Sequence, residues 1–264
     1  MKKALPESIT SYDLLKSFAV VIMVIDHIGA YFYPDQLWWR AVGRIGFPVW
    51  FFLVGYSNGR DLSPKLLWGA LILVAGNAIA GMPVFPLNAL VTIALIRLLI
   101  DRVMFFSLKS RWHLWAGAAV MFVAILPTYA VCEYGTQALI TAVFGYMVRH
   151  RKKIPDQTII FNYMIFALFS FVLMQKVAFG FSWPQFVFMA LGTALVRLYL
   201  YRYFDLRTYP RLTTILPAPM VLMFQFMGRH TLEIYVVHLL LFKALAMAFF
   251  PDKYVFLGGG IFHA

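Results

Sequence analysis

A chain of 264 residues that is 62% hydrophobic and only 13% charged, with a mean hydropathy of +0.78, lacks the polar surface of an ordinary soluble domain. Its net charge of +12 would suit a nucleic-acid binder, but most of the cations fall between apolar segments, where membrane topology accounts for them. Cys132 is the one cysteine, which excludes an intrachain disulfide and a thiolate metal cluster.

Apolar windows lie near Leu14–Tyr33, Ala41–Tyr56, Leu66–Ala80, Leu87–Met104, Leu114–Ala130, Thr136–Val148, Thr158–Lys176, Trp183–Tyr203, Ile215–Met227 and Leu232–Phe250. They predict an all-α, polytopic membrane helical bundle of about ten transmembrane helices, a single domain over residues 1–264. The stretch before Leu14 is too polar for a signal peptide, so the first helix is expected to be retained. Alternate loops collect the cations. One side would hold Lys2 and Lys3, Arg60 and Lys65, Arg102, Lys109 and Arg111, the run Arg149–Lys153, and Arg202, Arg207 and Arg211. The other would hold Arg40, Arg44, Lys176 and Arg229. By the positive-inside rule the first side is cytoplasmic, and ten helices place both the N- and C-termini there. Trp38, Trp39, Trp112, Trp115 and Trp183 fall at predicted helix ends, as interfacial anchors do.

The first helix carries Lys16 and His27, eleven residues apart and so on one face, about 16 Å apart along the axis. Lys16 would lie near the cytoplasmic surface and His27 toward the outer one. An imidazole at that depth suits general-base chemistry, and an interfacial, solvent-capped histidine is the bland alternative. Lys16 is equally consistent with a snorkelling anchor. Asp26 precedes His27 but diverges from it by about 100°, toward a different partner such as Arg40 or Arg44.

Arg40 and Arg44 share a helical face and could present two guanidinium forks to one anion or carbonyl, or pair with Asp26 or Asp35. Asn88, after Pro86, reads as a helix N-cap or a polar site residue. The basic loops attract anionic lipid, and could also attract a phosphate-bearing donor such as coenzyme A. Neither GxxxxGK[ST] nor GxGxxG occurs, so a nucleoside triphosphate has no cradle. GRHTLEIYVVHLLLFK (Gly228–Lys243) brings Glu233, Tyr235 and His238 into the last helix. With Arg229 at the outer surface, these residues would form a second polar lining opposite the first helix. The histidine spacing offers no compact metal motif, so no metal is expected.

Lys16-x10-His27 resembles the R/K-x10-H motif of the acyltransferase-3 superfamily of bacterial membrane proteins, and Gly228–His238 resembles its final G-x-x-[ST]-L-x-x-Y-x-x-H pattern. LKSFAVVIMVIDHIGAYF, GRIGFPVWFFLV and PLNALVTIAL are most similar to the TraX branch. The resemblance implies a multi-pass protein of the bacterial inner membrane that transfers an acetyl group from cytosolic acetyl-CoA. The acceptor, a pilin N-terminus, sugar or glycan, would lie at the outer side. It assigns His27 as catalytic base, Asp26 as an orienting residue, Arg44 and Arg40 as carbonyl or oxyanion ligands, and Lys16 as a donor-phosphate or register residue. Arg229, Glu233, Tyr235, His238 and Asn88 complete the expected substrate-binding set; the expected partners are acyl-CoA, the acceptor and membrane lipids, not nucleic acid. The alternative is a proton-coupled transporter or flippase using Asp26, His27, Glu233 and His238 as a relay. No internal repeat of the kind common in transporters is evident.

Overall fold

The computed structural model describes residues 6–154, 156–254 and 256–257. Lys2 and Lys3, counted above in the cytoplasmic charge, lie outside the described residues. The helices are α1 (Ser11–Phe32), α2 (Leu37–Tyr56), α3 (Pro64–Ile79), α4 (Ala89–Ser107), α5 (Arg111–Val123) and α6 (Ile125–Tyr129). They continue as α7 (Gly135–Arg149), α8 (Gln157–Phe179), α9 (Trp183–Arg202), α10 (Pro210–Ile215), α11 (Ala218–Arg229) and α12 (Thr231–Phe249). Eight of the ten apolar windows each coincide with one helix, whereas Leu114–Ala130 divides into α5 and α6 and Ile215–Met227 runs from the last residue of α10 into α11. Their starts are written in the sequence as caps. Thr10 and Asp13 form a capping box, Ser63 precedes Pro64, and Asn88, Ser110 and Asp156 each accept a first-turn N–H.

Among the described residues, four helices, α1, α8, α9 and α12, are long and apolar enough to cross a membrane by length and composition. The bundle is apolar on the outside as well as in its core. Val177 and Leu195 are each 68% exposed, while Asp26, Arg44, Gln137 and Arg197 are buried. That inversion has no place in water and describes a membrane protein.

Contacts between helices give their directions. α1 and α2 are antiparallel, with Gly29 against Trp39 and Gly46 against Ile22. α7 follows α2 in parallel, from the Phe47–Tyr134 ring contact down to Gly55 on Ala142. α12 runs parallel to α1: Gly228, just before it, packs on Asp13, His238 meets His27, and Phe242 meets Tyr31. Residues 6–10 and the segment around Tyr254, which stacks on Tyr31, therefore lie at opposite ends of the bundle.

The count of ten helices puts both termini on one side, whereas, among the described residues, 6–10 and Tyr254 lie at opposite ends of the bundle; the reason is local. The window Ile215–Met227 does not traverse the bundle. α10, six residues long, starts beside Ile9. The chain turns at Leu216–Pro217, and α11 descends along the first half of α1, with Phe224 at Ser17, Gly228 at Asp13 and Arg229 at Pro6. Twelve residues reach about 18 Å. The pair is a hairpin that enters and leaves by the same end, so an expected crossing is lost and α12 emerges parallel to α1.

Among the described glycines, the closest helix approach is between α2 and α7. A Cβ on Gly55 would overlap the Ala142 carbonyl, and one on Gly145 would overlap the Phe52 carbonyl. Gly55→Val is expected to lower the thermal unfolding midpoint of the purified protein by about 3–10 °C, as overpacking against a backbone that cannot yield. Gly59→Ala, with only the Ser57 hydroxyl within reach at 3.6 Å, should leave the midpoint unchanged.

Candidate active-site cavity

A cavity of about 1030 Å³ runs along the inner face of α1. At one end it is bounded by Lys16, Arg97, Arg207 and Arg229; at the other by Asp26, His27, Arg44, Tyr134 and Tyr235. Lys16 and His27 are three turns apart on one face of α1, so a single helix spans from the basic mouth to the imidazole. Beyond the imidazole the interior is closed by aromatic rings: Tyr31 packs on Phe242 and Tyr254, and Phe32 on Phe242 and Phe250.

Asp26 holds the closed end together. Its Oδ2 accepts from Arg40 Nη1 at 2.7 Å and from Arg44 Nη2 at 2.8 Å. Arg40 Nη1 also donates to the Asp26 carbonyl at 2.9 Å, and Arg44 Nη1 to the Tyr134 hydroxyl at 3.2 Å. Both guanidiniums lie over the Phe179 ring, at 5.0 Å and 4.8 Å from its centre. α2 reaches the carboxylate because residue 43 is glycine; a Cβ there would overlap Asp26. Arg44 Nε and Asp26 Oδ1 keep no hydrogen-bond partner among the described residues.

His27 turns the other way. Its Nδ1 lies 2.7 Å from His238 Nε2, and His238 Nδ1 lies 2.7 Å from the Ile234 carbonyl oxygen. A carbonyl only accepts, so the neutral His238 carries its proton on Nδ1 and offers the Nε2 lone pair. His27 must then donate from Nδ1, which leaves the lone pair of its Nε2 free. The ring is half-buried and lines the cavity. Tyr235 flanks both imidazoles, with ring centres 6.2 Å and 5.8 Å away.

The structure thus brings His27, Asp26, Arg40, Arg44, Tyr235 and His238 together at one end. Lys16 lies at the opposite mouth of the same cavity. The Asp26 carboxylate makes no hydrogen bond to the His27 ring: the imidazole meets His238, and the carboxylate meets the two arginines. Asn88 is engaged structurally, capping Leu90 N–H and donating to the Ala70 carbonyl at 2.9 Å. Arg229 was expected at the outer surface but lies beside Asp13, 3.5 Å from its carboxylate, at the Lys16 mouth. Glu233 pairs with Lys65 at 2.8 Å on that same end of the bundle and does not line the cavity. Both shifts follow from the parallel course of α12.

Three residues at the closed end were not singled out from sequence. Tyr134, in the left-handed region at φ 68°, caps the start of α7 and receives Arg44. Glu133 accepts from Ala89 N–H at 3.0 Å, anchoring the start of α4 inside the bundle. Lys243 is 5% exposed on α12, within electrostatic range of Glu133 and His27. Lys243, a lone cation in an apolar window, carried the same signal as Lys16; the two loop residues carried only the Gly135 turn as a marker.

The family model described as TraX protein matches residues 11–246. An uncharacterized protein of Rickettsia prowazekii (strain Madrid E), RP591, is 29% identical over 177 residues, 66% of this chain and 71% of that protein. Protein TraX of Escherichia coli is 26% identical over 140 residues, 51% of this chain and 54% of the relative. Protein TraX of Escherichia coli strain K12 is 27% identical over 134 residues, 48% and 52%. The chain aligns with about half the length of these two TraX proteins. No solved structure matches it.

Removing one partner of the buried charge cluster strands the others. Asp26→Asn should lower unfolding stability by about 3–5 kcal/mol, because two guanidiniums then remain in the apolar interior with no carboxylate. Glu233→Gln, which breaks an exposed pair, should change it by about 0.5 kcal/mol or less. Parallel unfolding titrations of both variants against the parent protein measure the contrast.

Proposed function

Because the chain belongs to the TraX family, we propose that it is a multi-pass inner-membrane acyltransferase of the acyltransferase-3 type. It moves an acetyl group from cytosolic acetyl-CoA to an amine or hydroxyl from the far side, which would have to pass the aromatic rings beyond the imidazole to reach His27. The observation that carries this reading is the continuity of one cavity from four cations to a histidine with one free ring nitrogen. A volume of about 1030 Å³ suits a cofactor-sized ligand, at the upper end of the usual range of about 300–1,000 Å³.

The basic mouth is assigned to the cytoplasm by the positive-inside rule. Arg229, which stood as an exception when placed outside, belongs to the basic end and adds to the bias. Arg40 and Arg44 remain on the other side, and Asp26 pairs with both. Lys16, Arg97, Arg207 and Arg229 would receive the donor's phosphates, and its thioester would extend toward His27.

In the proposed transfer, His27 Nε2 takes the proton of the acceptor amine or hydroxyl as that atom attacks the thioester carbonyl carbon. The oxyanion of the tetrahedral intermediate faces Arg44, whose Nε–H has no partner among the described residues. Collapse breaks the carbon–sulfur bond, and the departing thiolate regains the proton from the His27 imidazolium. His238 positions the base: accepting from Nδ1, it keeps the reacting lone pair on Nε2.

Two measurements test the scheme. Purified protein should bind an acyl-CoA, and His27→Ala should bind it while losing transfer by about 10²-fold or more. Wild-type rates in that variant would remove His27 as the base; uptake driven by a pH gradient without consumption of the CoA ester would favour the transporter. His238→Gln keeps a side-chain oxygen that can accept from His27 Nδ1, whereas His238→Leu does not. The leucine variant should lose about 10²-fold in turnover with little change in KM, and the glutamine variant should recover much of it.

A further inference from the structure

A second polar cluster is buried between α7, α8 and α9, apart from the cavity. Arg197 lies on the inward stripe of α9 with Met189, Thr193 and Leu200, and is 0% exposed. Its Nη2 donates to Thr141 Oγ1 at 3.3 Å, and its guanidinium carbon lies 5.8 Å from the centre of the Phe171 ring. Nε and Nη1 have no hydrogen-bond partner among the described residues. The Tyr163 hydroxyl, within electrostatic range of Arg197 and equally buried, has none either. All eleven acidic residues of the chain are among the described residues, and none forms an ion pair with Arg197.

A guanidinium does not deprotonate in a protein. One full positive charge therefore sits in the interior of an apolar bundle, where an uncompensated ion is among the costliest features a fold can carry. A cation–π contact and one hydroxyl offset part of that cost and leave the charge itself unbalanced. The spare donors at the guanidinium are Arg197 Nε–H, both hydrogens of Nη1 and the Tyr163 hydroxyl; the spare acceptors on the same helices, Gln137 Oε1 and Gln175 Oε1, are neutral and do not balance the charge. Donors around an unbalanced single charge select a small monovalent anion. A phosphate or nucleotide would need further cations, and the other buried guanidinium, Arg44, is engaged with Asp26. We propose that Arg197, anchored to α7 by the Thr141 hydroxyl, and the Tyr163 hydroxyl of α8 hold one chloride-class anion as a structural ligand tying α7, α8 and α9 together. This site is independent of the acetyl-transfer reading.

The test is thermal unfolding of the purified full chain in gluconate, with chloride or bromide titrated in at constant ionic strength. At a halide concentration about 100-fold above the dissociation constant, the wild-type midpoint should rise, saturably, by about 5 °C or more. Arg197→Met should show the same midpoint in gluconate and halide. Equal midpoints for the wild-type protein in both salts would overturn the proposal, as would a halide shift of the same size in Arg197→Met. Should that variant not fold, wild-type crystals grown in bromide decide the matter by anomalous scattering: a bromine peak beside Arg197 Nε supports the site, and its absence at full exchange overturns it.

Discussion

The carboxylate of Asp26 accepts from two guanidiniums of the next helix inside an apolar bundle. In such surroundings the attraction between these charges is far stronger than at a surface, and so is the cost of misplacing any one of them. The pair fixes the depth of α2 against α1, because sliding either helix by a turn would strand a charge. Gly43 lets the two backbones approach closely enough for the contact, and Phe179 of α8 covers both guanidiniums from the third side. His27 is the next residue, and a step of about 100° aims it away from α2. A carboxylate committed to one neighbour thus leaves the adjacent imidazole to the other.

That other neighbour is α12, and its arrival at the right depth depends on a helix pair that turns back. Parallel helices adjacent in space need a connection that returns the chain to the starting end. Here α9 brings the chain back to the Ile9 end, and α10 and α11, which enter and leave there, keep it at that end, with α11 descending against the first half of α1. α12 then begins level with Asp13 and rises beside α1, so positions of similar rank meet: His238 with His27, Phe242 with Tyr31. The same hairpin carries Arg229 to the basic mouth. One turn at Leu216–Pro217 therefore sets both the imidazole pair and the charge at the opposite end of the cavity.

The helices themselves were legible, since periodic apolarity and capping residues report local structure that the backbone must satisfy wherever the segment lies. Their depth was not. An apolar window of thirteen residues, Ile215–Met227, reads alike whether it crosses a bilayer or dips into it, because both fates require the same composition. The count of crossings, and with it the side of Arg229 and Glu233, turned on that ambiguity. Of the residues at the closed end, Asp26, His27, Arg40, Arg44, Tyr235 and His238 stood out as ionisable or polar groups in segments that should not contain them. Glu133 and Tyr134 did not, because they enter from a loop where polar residues attract no notice. Only the start of α4 and α7 within the bundle, rather than at its rim, turns that loop into interior.

The buried polar groups at the closed end differ in how much bonding capacity they retain, and that difference separates structure from chemistry. Asn88 both caps α4 and donates to the Ala70 carbonyl, and Glu133 caps Ala89 while its own N–H meets the Leu87 carbonyl; such groups position the backbone. His27 and Arg44 are each tied at one edge and open at another: Nδ1 to His238 with Nε2 free, Nη1 and Nη2 to Tyr134 and Asp26 with Nε free. A side chain anchored this way gives up little further freedom when it meets a reacting group, because its orientation is fixed at folding rather than at binding. The cost of holding charge and imidazole in an apolar interior is thereby borne by the fold, through Asp26 and His238, and the two free nitrogens are what the proposed transfer would use.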